Sequence, residues 1–141
     1  MNLHMSRKLV AIVAGLGLMM FFPVYVHAGC VQGDLEGTWY TFAPAMMRCK
    51  VNVNSSGSIV ASKSTCSIRD ETGVFKLNVG GGSLEISSAC KVVGKMRLCD
   101  ARCTGFKIEN GRLERDKNIV VLQGYPVIDP SGSMSLVGVK K

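Results

Sequence analysis

A strand–turn–strand pattern that recurs after residue 37 is the feature that most restricts the fold of this chain. Each repeat joins two short runs of alternating apolar and polar residues through a polar turn that ends in glycine. The four repeats are 49–59, 75–86, 106–113 and 127–136, and their turns end at Gly57, Gly82, Gly111 and Gly132. Alternation with a period of two is typical of β-strands, and glycine supplies the positive φ that tight hairpin turns need. The pattern therefore predicts four successive hairpins.

These hairpins, preceded by a strand predicted at 38–42, form an antiparallel meander of eight or nine strands. A meander of this size either closes into a barrel or folds into a sandwich. Because closure removes the exposed strand edges, we predict an all-β domain built as a small closed barrel, with a β-sandwich as the alternative. The alternation predicts residues that share a face: Cys49, Val51 and Val53; Phe75, Leu77 and Val79; Leu84, Ile86 and Cys90; Phe106 and Ile108.

The first 28 residues predict a cleaved signal peptide. A basic pair at 7–8 precedes an uncharged apolar run at 9–26, and small residues lead to a cleavage point after Ala28. A retained membrane anchor is the alternative, but no cluster of stop-transfer charges follows the run. Cleavage would leave 29–141 as a single disulfide-stabilised β domain.

The position of the histidines limits the chemistry of that domain. Both histidines, His4 and His27, lie in the predicted signal, whereas all six cysteines follow it. A domain without histidine lacks Ser-His-Asp and Cys-His catalytic sites and histidine ligands for zinc, copper or haem. We therefore predict no enzymatic activity, no catalytic residues, no metal and no cofactor, and keep an enzyme that uses carboxylates or a reactive thiol as an alternative.

Cys30 raises the question of lipidation. Ala28 and Gly29 before it match the end of a bacterial lipobox, although His27 stands where that motif has an aliphatic residue. Acylation of Cys30 would tether the protein to a membrane, and it would leave an odd number of cysteines. We therefore predict a periplasmic or secreted protein with disulfides, and keep a lipoprotein tethered through Cys30 as the alternative.

The first predicted strands carry a family resemblance. A Gly-x-Trp motif at Gly37 and Trp39 opens the first strand, and Cys49 opens the second. This arrangement resembles the calycin group, and with Cys66 added it is most similar to the small periplasmic metalloprotease inhibitors, which are eight-stranded barrels. The resemblance covers about residues 35–66. It implies that Trp39 closes one barrel end, that Cys49 pairs with Cys66, and that protease inhibition is an alternative function.

The sequence itself does not choose among the many connectivities that six cysteines allow. Our hypothesis takes the Cys49–Cys66 pair from the resemblance, adds a Cys99–Cys103 pair that closes a turn, and joins Cys30 to Cys90. The last bond would tie the N-terminal arm at 29–36 to the barrel. In the inhibitor family, the arm enters the cleft of the protease.

Two segments are candidate partner-binding surfaces. The first is the apolar loop at 42–47, which forms either a binding lip or a plug of the barrel, because methionine adapts to irregular partners. The second is 91–102, which predicts a strand with a basic outer face for an anionic partner, or an ordinary solvated face. The candidate residues are Phe42, Pro44, Met46 and Met47 in the first segment and Lys91, Lys95, Arg97 and Arg102 in the second.

Charge indicates the kind of partner. The chain has 17 basic and 10 acidic residues, a net charge of +7, and loss of the two basic residues at 7–8 leaves +5. The leading prediction is an exported, non-catalytic binding module that contacts a protein or an anionic envelope polymer. Nucleic acid is excluded as a partner because the protein is exported and its basic residues are scattered. A carrier of a small apolar ligand inside the barrel is a further alternative, although a barrel of this size leaves little room.

Overall fold

The computed structural model describes residues 29–43 and 47–141. The predicted signal at 1–28 and the candidate residues Pro44 and Met46 lie outside this part of the chain. The nine strands are β1 (Gly37–Phe42), β2 (Met47–Val53), β3 (Ser58–Ile59), β4 (Thr65–Asp70), β5 (Gly73–Ile86), β6 (Lys91–Cys99), β7 (Cys103–Leu113), β8 (Ile119–Pro126) and β9 (Met134–Lys140). Two short 3-10 helices, Gln32–Leu35 and Ala61–Lys63, complete the described elements, and neither is long enough to cross a membrane.

The strands form one closed antiparallel barrel. Each strand pairs with its neighbours around the sheet, and pairing of β1 with both β2 and β9 closes the ring. β3 and β4 lie on either side of the helix Ala61–Lys63 and pair with the same two neighbours, β2 and β5. The nine strands therefore fill eight positions. The predicted all-β closed barrel is confirmed, and the sandwich alternative is wrong.

Alternating residues fill the interior, as the period-two pattern predicts. Val51 and Val53 of β2 and Phe106 and Ile108 of β7 are all buried. Phe75 is an exception, because it lies near the tip of the β4–β5 hairpin and is 47% exposed. Burial of this apolar surface is the main stabilising contribution to the fold.

Two of the four predicted hairpin turns are present. The N–H of Gly57 donates to the carbonyl of Asn54 at 2.9 Å, and the N–H of Gly132 donates to the carbonyl of Asp129 at 3.1 Å. The strand predicted before the latter turn is shifted, since β8 ends at Pro126 and the segment 127–128 lies in the turn.

The predicted turns at Gly82 and Gly111 are wrong, because both glycines lie inside long strands. The residues around Gly82 form a β-bulge in β5, where one extra residue bends the strand around the barrel. Gly111 permits close packing in β7, since a Cβ there would lie 2.6 Å from Cδ2 of Leu122 and 2.8 Å from the carbonyl oxygen of Val92. Glycine thus marks barrel curvature and close approach at these positions rather than a reversal of the chain.

The connections alternate between the two ends of the barrel. We call the end that carries the helix Gln32–Leu35 the capped end and the opposite end the open end. The capped end has the connections at 54–57, 87–90 and 114–118, and the open end has those at 71–72, 100–102 and 127–133. The outer face of the barrel between these ends carries the surfaces described next.

Candidate functional site

The barrel interior has little free space. A cavity of about 40 Å³ remains between side chains that include Trp39, Met96 and Phe106, and its walls are almost entirely apolar. Pockets that bind small organic ligands usually have volumes of about 300–1,000 Å³. The packed side chains therefore occupy the space in which a carrier would hold its ligand.

Three disulfides join the pairs Cys30–Cys90, Cys49–Cys66 and Cys99–Cys103. These are the pairings hypothesised from the sequence, and the expectation of disulfide bonds is confirmed. Disulfides of this number are typical of proteins in oxidising compartments. All six cysteines are engaged, so none offers a free thiol as a nucleophile. The sulfur of Cys30 is bonded to Cys90, which is incompatible with acylation of the same atom.

The capped end is held together by a network around the helix Gln32–Leu35. The indole Nε1 of Trp39 donates to the carbonyl of Leu35 at 2.8 Å, and Nζ of Lys140 lies 5.5 Å above the indole ring. Lys117 Nζ lies 2.9 Å from the carboxylate of Asp34, and Lys140 Nζ donates to the Asp34 carbonyl at 3.1 Å. The hydrogen bond from Lys117, reinforced by the N–H of Val31, lowers the pKa of Asp34 below its usual value.

The N-terminal arm at 29–36 is fastened along the barrel. The side-chain amide of Gln32 donates to the carbonyl of Leu84 at 2.8 Å and accepts from the N–H of Ile86 at 3.2 Å. The N–H of Cys30 also donates to the carbonyl of Ser88 at 3.2 Å, beside the Cys30–Cys90 disulfide. The described part of the arm is therefore fixed at both of its ends.

The loop at 42–47 divides its candidate residues between surface and core. Phe42 is exposed, whereas Met47 is 4% exposed and packs in the core, which is the inward position of the plug alternative rather than the outward position of a binding lip. Met47 is the first residue of β2, and the strand directs its side chain into the barrel. A surface hollow of about 490 Å³ beside Phe42 contains the exposed side chains of Arg48 and Arg69.

The predicted basic strand is β6, and the structure places a second basic strand next to it. Lys91, Lys95 and Arg97 are exposed on β6, and Arg102 is exposed in the turn that follows. In the register of β6 with β7, Lys91 lies opposite Arg112 and Lys95 lies opposite Lys107. We call these side chains the basic face: Lys91, Lys95, Arg97, Arg102, Lys107 and Arg112.

Some of these cations have partners within the protein. Nζ of Lys107 lies 2.8 Å from Oε1 of Glu109, and the hydroxyl of Tyr125 donates to the same oxygen at 2.8 Å. The hydrogen bond with Lys107 lowers the pKa of Glu109 and, reciprocally, raises the pKa of Lys107. Arg97 donates through Nη2 to the carbonyl of Gly80 at 2.7 Å.

The other cations of this face have no such compensation. Among residues 29–43 and 47–141, the ion pairs are Lys107–Glu109 and Lys117–Asp34. Three exposed cations of the basic face are therefore in neither ion pair: Lys91, Lys95 and Arg112. Lys91 and Arg112 lie opposite each other, and Lys95 lies opposite Lys107. Sequence reasoning identified Lys91 and Lys95 but missed Arg112, whose place beside Lys91 depends on the register of β7.

A second surface, on β8, β9 and β1, is apolar. Ile119 lies opposite Val139 and Val121 lies opposite Val137, and all four side chains point outward and are 43–45% exposed. β1 continues this array beside β9, with Tyr40 opposite Val139 and Phe42 opposite Val137. We call these six side chains the apolar face. Sequence reasoning missed it, because a run such as 119–122 is apolar at every position and does not reveal which residues point outward.

Within the described ranges, no group of three or more histidine, cysteine, aspartate or glutamate residues is placed to hold a metal ion. In comparisons with known proteins, no family model, no curated protein and no solved structure matches this chain. Function is therefore considered from the surfaces of the barrel alone.

Proposed function

We propose that this protein is an exported, non-catalytic binding module that holds a linear anionic polymer of the cell envelope along its basic face. The observation that carries the proposal is the pairing of like charges across β6 and β7, Lys91 with Arg112 and Lys95 with Lys107. Like charges directly opposite each other destabilise a sheet. An anionic ligand placed between them would convert this repulsion into attraction.

The spacing of the charges favours an extended ligand. Lys91 and Lys95 are four residues apart on one strand, which corresponds to about 13 Å at the rise of a β-strand. Arg97 and Arg102 continue the series toward the open end, so the cations follow the strand direction for most of the barrel's length. A polymer with repeating phosphate, sulfate or carboxylate groups matches such a series, whereas a small anion would contact one pair.

The basic face is a better site for such a polymer than the hollow beside Phe42. Arg48 and Arg69 in the hollow are accompanied by apolar walls that include Phe42 and Val74. On the basic face, by contrast, the only carboxylate in an ion pair is that of Glu109, within the part of the chain that the structure describes.

Export is supported by two independent features. The pattern at 1–28 is that of a signal peptide, and the three disulfides suit an oxidising compartment. The proposed location is therefore the periplasm or the cell exterior, where anionic polysaccharides and polyphosphate-containing polymers are exposed. A polyanion there would be drawn to a protein whose net charge is positive.

The two alternatives from the sequence have less support. A carrier needs an internal cavity, and the interior leaves about 40 Å³. An inhibitor that acts as its supposed relatives do needs a free N-terminal arm, and here Gln32 and Cys30 fasten the arm to the barrel. No observation on the described residues specifically favours either function.

The proposal is tested by measuring affinity for a linear polyphosphate of defined length, with neutral dextran as the uncharged comparison. The variant Lys91→Ala/Lys95→Ala/Arg112→Ala removes the uncompensated cations of the basic face. We expect its affinity to fall by roughly tenfold or more, since each lost cation removes an ion contact and its counterion release.

A matched variant removes the same number of charges elsewhere. Lys50→Ala/Lys63→Ala/Lys76→Ala changes three exposed lysines that lie outside the basic face. We expect its affinity to change by about twofold or less, because distant charges are screened by salt. Equal losses in the two triple variants, or a wild-type protein that does not bind polyphosphate at low salt, would contradict the proposal.

A further inference from the structure

The apolar face departs from the usual composition of a barrel exterior. A strand with one face in the core normally places polar residues on the other face. Here Ile119 and Val121 on β8 and Val137 and Val139 on β9 are all apolar and outward, and each is between 43% and 45% exposed. Contiguous exposed apolar side chains of this kind mark interaction surfaces more often than isolated ones do.

Cations border the apolar face on both sides. On one side, the β1–β2 register places Lys50 opposite Tyr40 and Arg48 opposite Phe42. On the other side, the β7–β8 register places Arg112 opposite Val121. All three cations are exposed. One acidic residue also borders the face: the N–H of Glu114 donates to the carbonyl of Ile119 at 2.8 Å, at the capped end.

This distribution of charge argues against a second copy of the chain as the occupant. A two-fold axis along the strands would place Arg112 of one copy near Arg48 of the other, and Glu114 near Lys50. A two-fold axis across the strands would place Arg48 and Lys50 of one copy near the same residues of the other. Both arrangements bring cations together in a desolvated contact, which is costly. The charge instead complements a partner that is apolar inside and anionic at its boundary.

We propose that the apolar face adsorbs to the surface of an anionic lipid bilayer. The six apolar side chains would enter the boundary between headgroups and acyl chains, and Arg48, Lys50 and Arg112 would contact the phosphates around them. Tyr40 and Phe42 place aromatic rings along one margin, where aromatic side chains favour the membrane interface. The array is a regular sheet surface, which suits a bilayer because a bilayer demands no shape-specific pocket. The six apolar side chains lie outside the basic face, and Arg112 is the one cation that borders both surfaces.

The test is co-sedimentation of the exported protein with vesicles. One preparation contains about 30 mol% phosphatidylglycerol in phosphatidylcholine, to supply anionic headgroups, and the other contains phosphatidylcholine alone. We expect binding to the anionic vesicles that is at least roughly tenfold stronger than binding to the neutral ones, because both apolar burial and charge contribute. Absence of binding to the anionic vesicles would overturn the proposal.

A matched pair of variants locates the contact. Val121→Asp/Val137→Asp places two carboxylates in the apolar face, and we expect vesicle binding to fall by roughly tenfold or more. Val74→Asp/Val127→Asp makes the same change at two open-end valines that are 58% and 56% exposed, and we expect about a twofold change. An equal loss in both variants would overturn the proposal, as would a dimer that Val121→Asp/Val137→Asp dissociates while vesicle binding is unchanged.

A second variant keeps the test informative if the aspartates disturb folding. Val137→Trp adds an exposed indole, whereas the natural Trp39 is buried and serves as a constant background. We expect brominated anionic lipids to quench the new emission, and unchanged emission would overturn the proposal. Polyphosphate affinity and vesicle binding of Val137→Asp/Val139→Asp separate the two proposals. These two changes lie on β9, with β8 between them and Arg112, so we expect vesicle binding to be lost while polyphosphate affinity stays within about twofold of the wild-type value.

Discussion

The capped end and the basic face use the same type of side chain in opposite ways. At the capped end, Lys117 contacts the carboxylate of Asp34, and Lys140 contacts the Asp34 carbonyl and the ring of Trp39. On the basic face, Lys91 and Lys95 each lie opposite another cation. Lysines at the capped end thus hold the N-terminal arm in place, whereas Lys91 and Lys95 lie where like charges oppose each other across the sheet.

The comparison separates cations that the fold itself explains from cations that are candidates for contact with a partner. A lysine that is matched by internal acceptors is explained by the fold itself. Like charges directly opposite each other destabilise a sheet. Lys107 of the Lys95–Lys107 pair is also ion-paired with Glu109, whereas neither member of the Lys91–Arg112 pair is in an ion pair among the described residues. An external anion would offset the repulsion between Lys91 and Arg112, so the presence or absence of an internal partner separates the two regions better than the number of cations does.

Removing the disulfide at the capped end should produce the largest loss of stability. Cys30→Ala/Cys90→Ala opens a loop with a sequence separation of 60, and chain entropy predicts a loss of about 4 kcal/mol in the free energy of unfolding. Cys99→Ala/Cys103→Ala, with a separation of 4, should cost about 2 kcal/mol. Urea unfolding measures both values. A larger loss for Cys99→Ala/Cys103→Ala than for Cys30→Ala/Cys90→Ala would show that the arm is not the main attachment that stabilises the capped end.

Leu35 tests the packing of the cap. Leu35 is the last residue of the helix Gln32–Leu35, and its side chain is almost fully buried. Leu35→Ala should therefore lower the free energy of unfolding by about 3 kcal/mol. Ile128→Ala removes a side chain of similar size that is 79% exposed at the open end, and it should change stability by less than about 0.5 kcal/mol. Thermal unfolding of the two variants compares the ends directly, and equal effects would contradict the distinction between them.

Asp34 should make the stability of the capped end depend on pH. Because Lys117 lowers the pKa of Asp34 in the folded protein, the stabilisation is present above the unfolded-state pKa and is lost as pH falls through the folded-state pKa. Asp34→Asn should therefore lower stability by about 1 kcal/mol at neutral pH and by much less below about pH 3. Unfolding of Asp34→Asn and of the exposed Asp116→Asn across this range measures the difference. A pH-independent loss would mean that the contact with Lys117 is not responsible.

Lys95→Glu should have the smallest effect on stability, and with the opposite sign. It replaces a like-charged pair with an opposite-charged pair across from Lys107, which should raise the free energy of unfolding by about 0.5 kcal/mol. The same change should weaken polyphosphate binding. Lys63→Glu, at an exposed helix residue away from the sheet register, provides the control for charge reversal. A destabilised Lys95→Glu would show that Lys95 is already compensated within the fold.

Local patterns were sufficient to predict the architecture. The alternation at Cys49, Val51 and Val53 identified an inward face, and the residues are buried as expected. Cysteine content and the Gly-x-Trp resemblance indicated a disulfide-bonded barrel of eight strand positions. These features depend on short stretches of sequence, so they could be recognised without knowledge of distant contacts.

The errors arose where long-range pairing decides the role of a residue. Gly82 and Gly111 have the composition of turn residues, but their strands continue because β6 and β8 pair alongside them. The position of Arg112 beside Lys91 likewise depends on the register of β6 with β7. A basic strand was therefore predictable, but the like-charged pairs on which the proposed function rests were not.

The most direct test of the central proposal is a titration of the isotopically labelled protein with a short polyphosphate, followed by backbone amide resonances. Binding along the basic face predicts shifts concentrated in β6 and β7, around Lys91–Arg112 and Lys95–Lys107, with little change in β2 and β4. Shifts centred on Arg48 and Arg69 in the hollow beside Phe42, or an absence of shifts at low salt, would contradict the proposal.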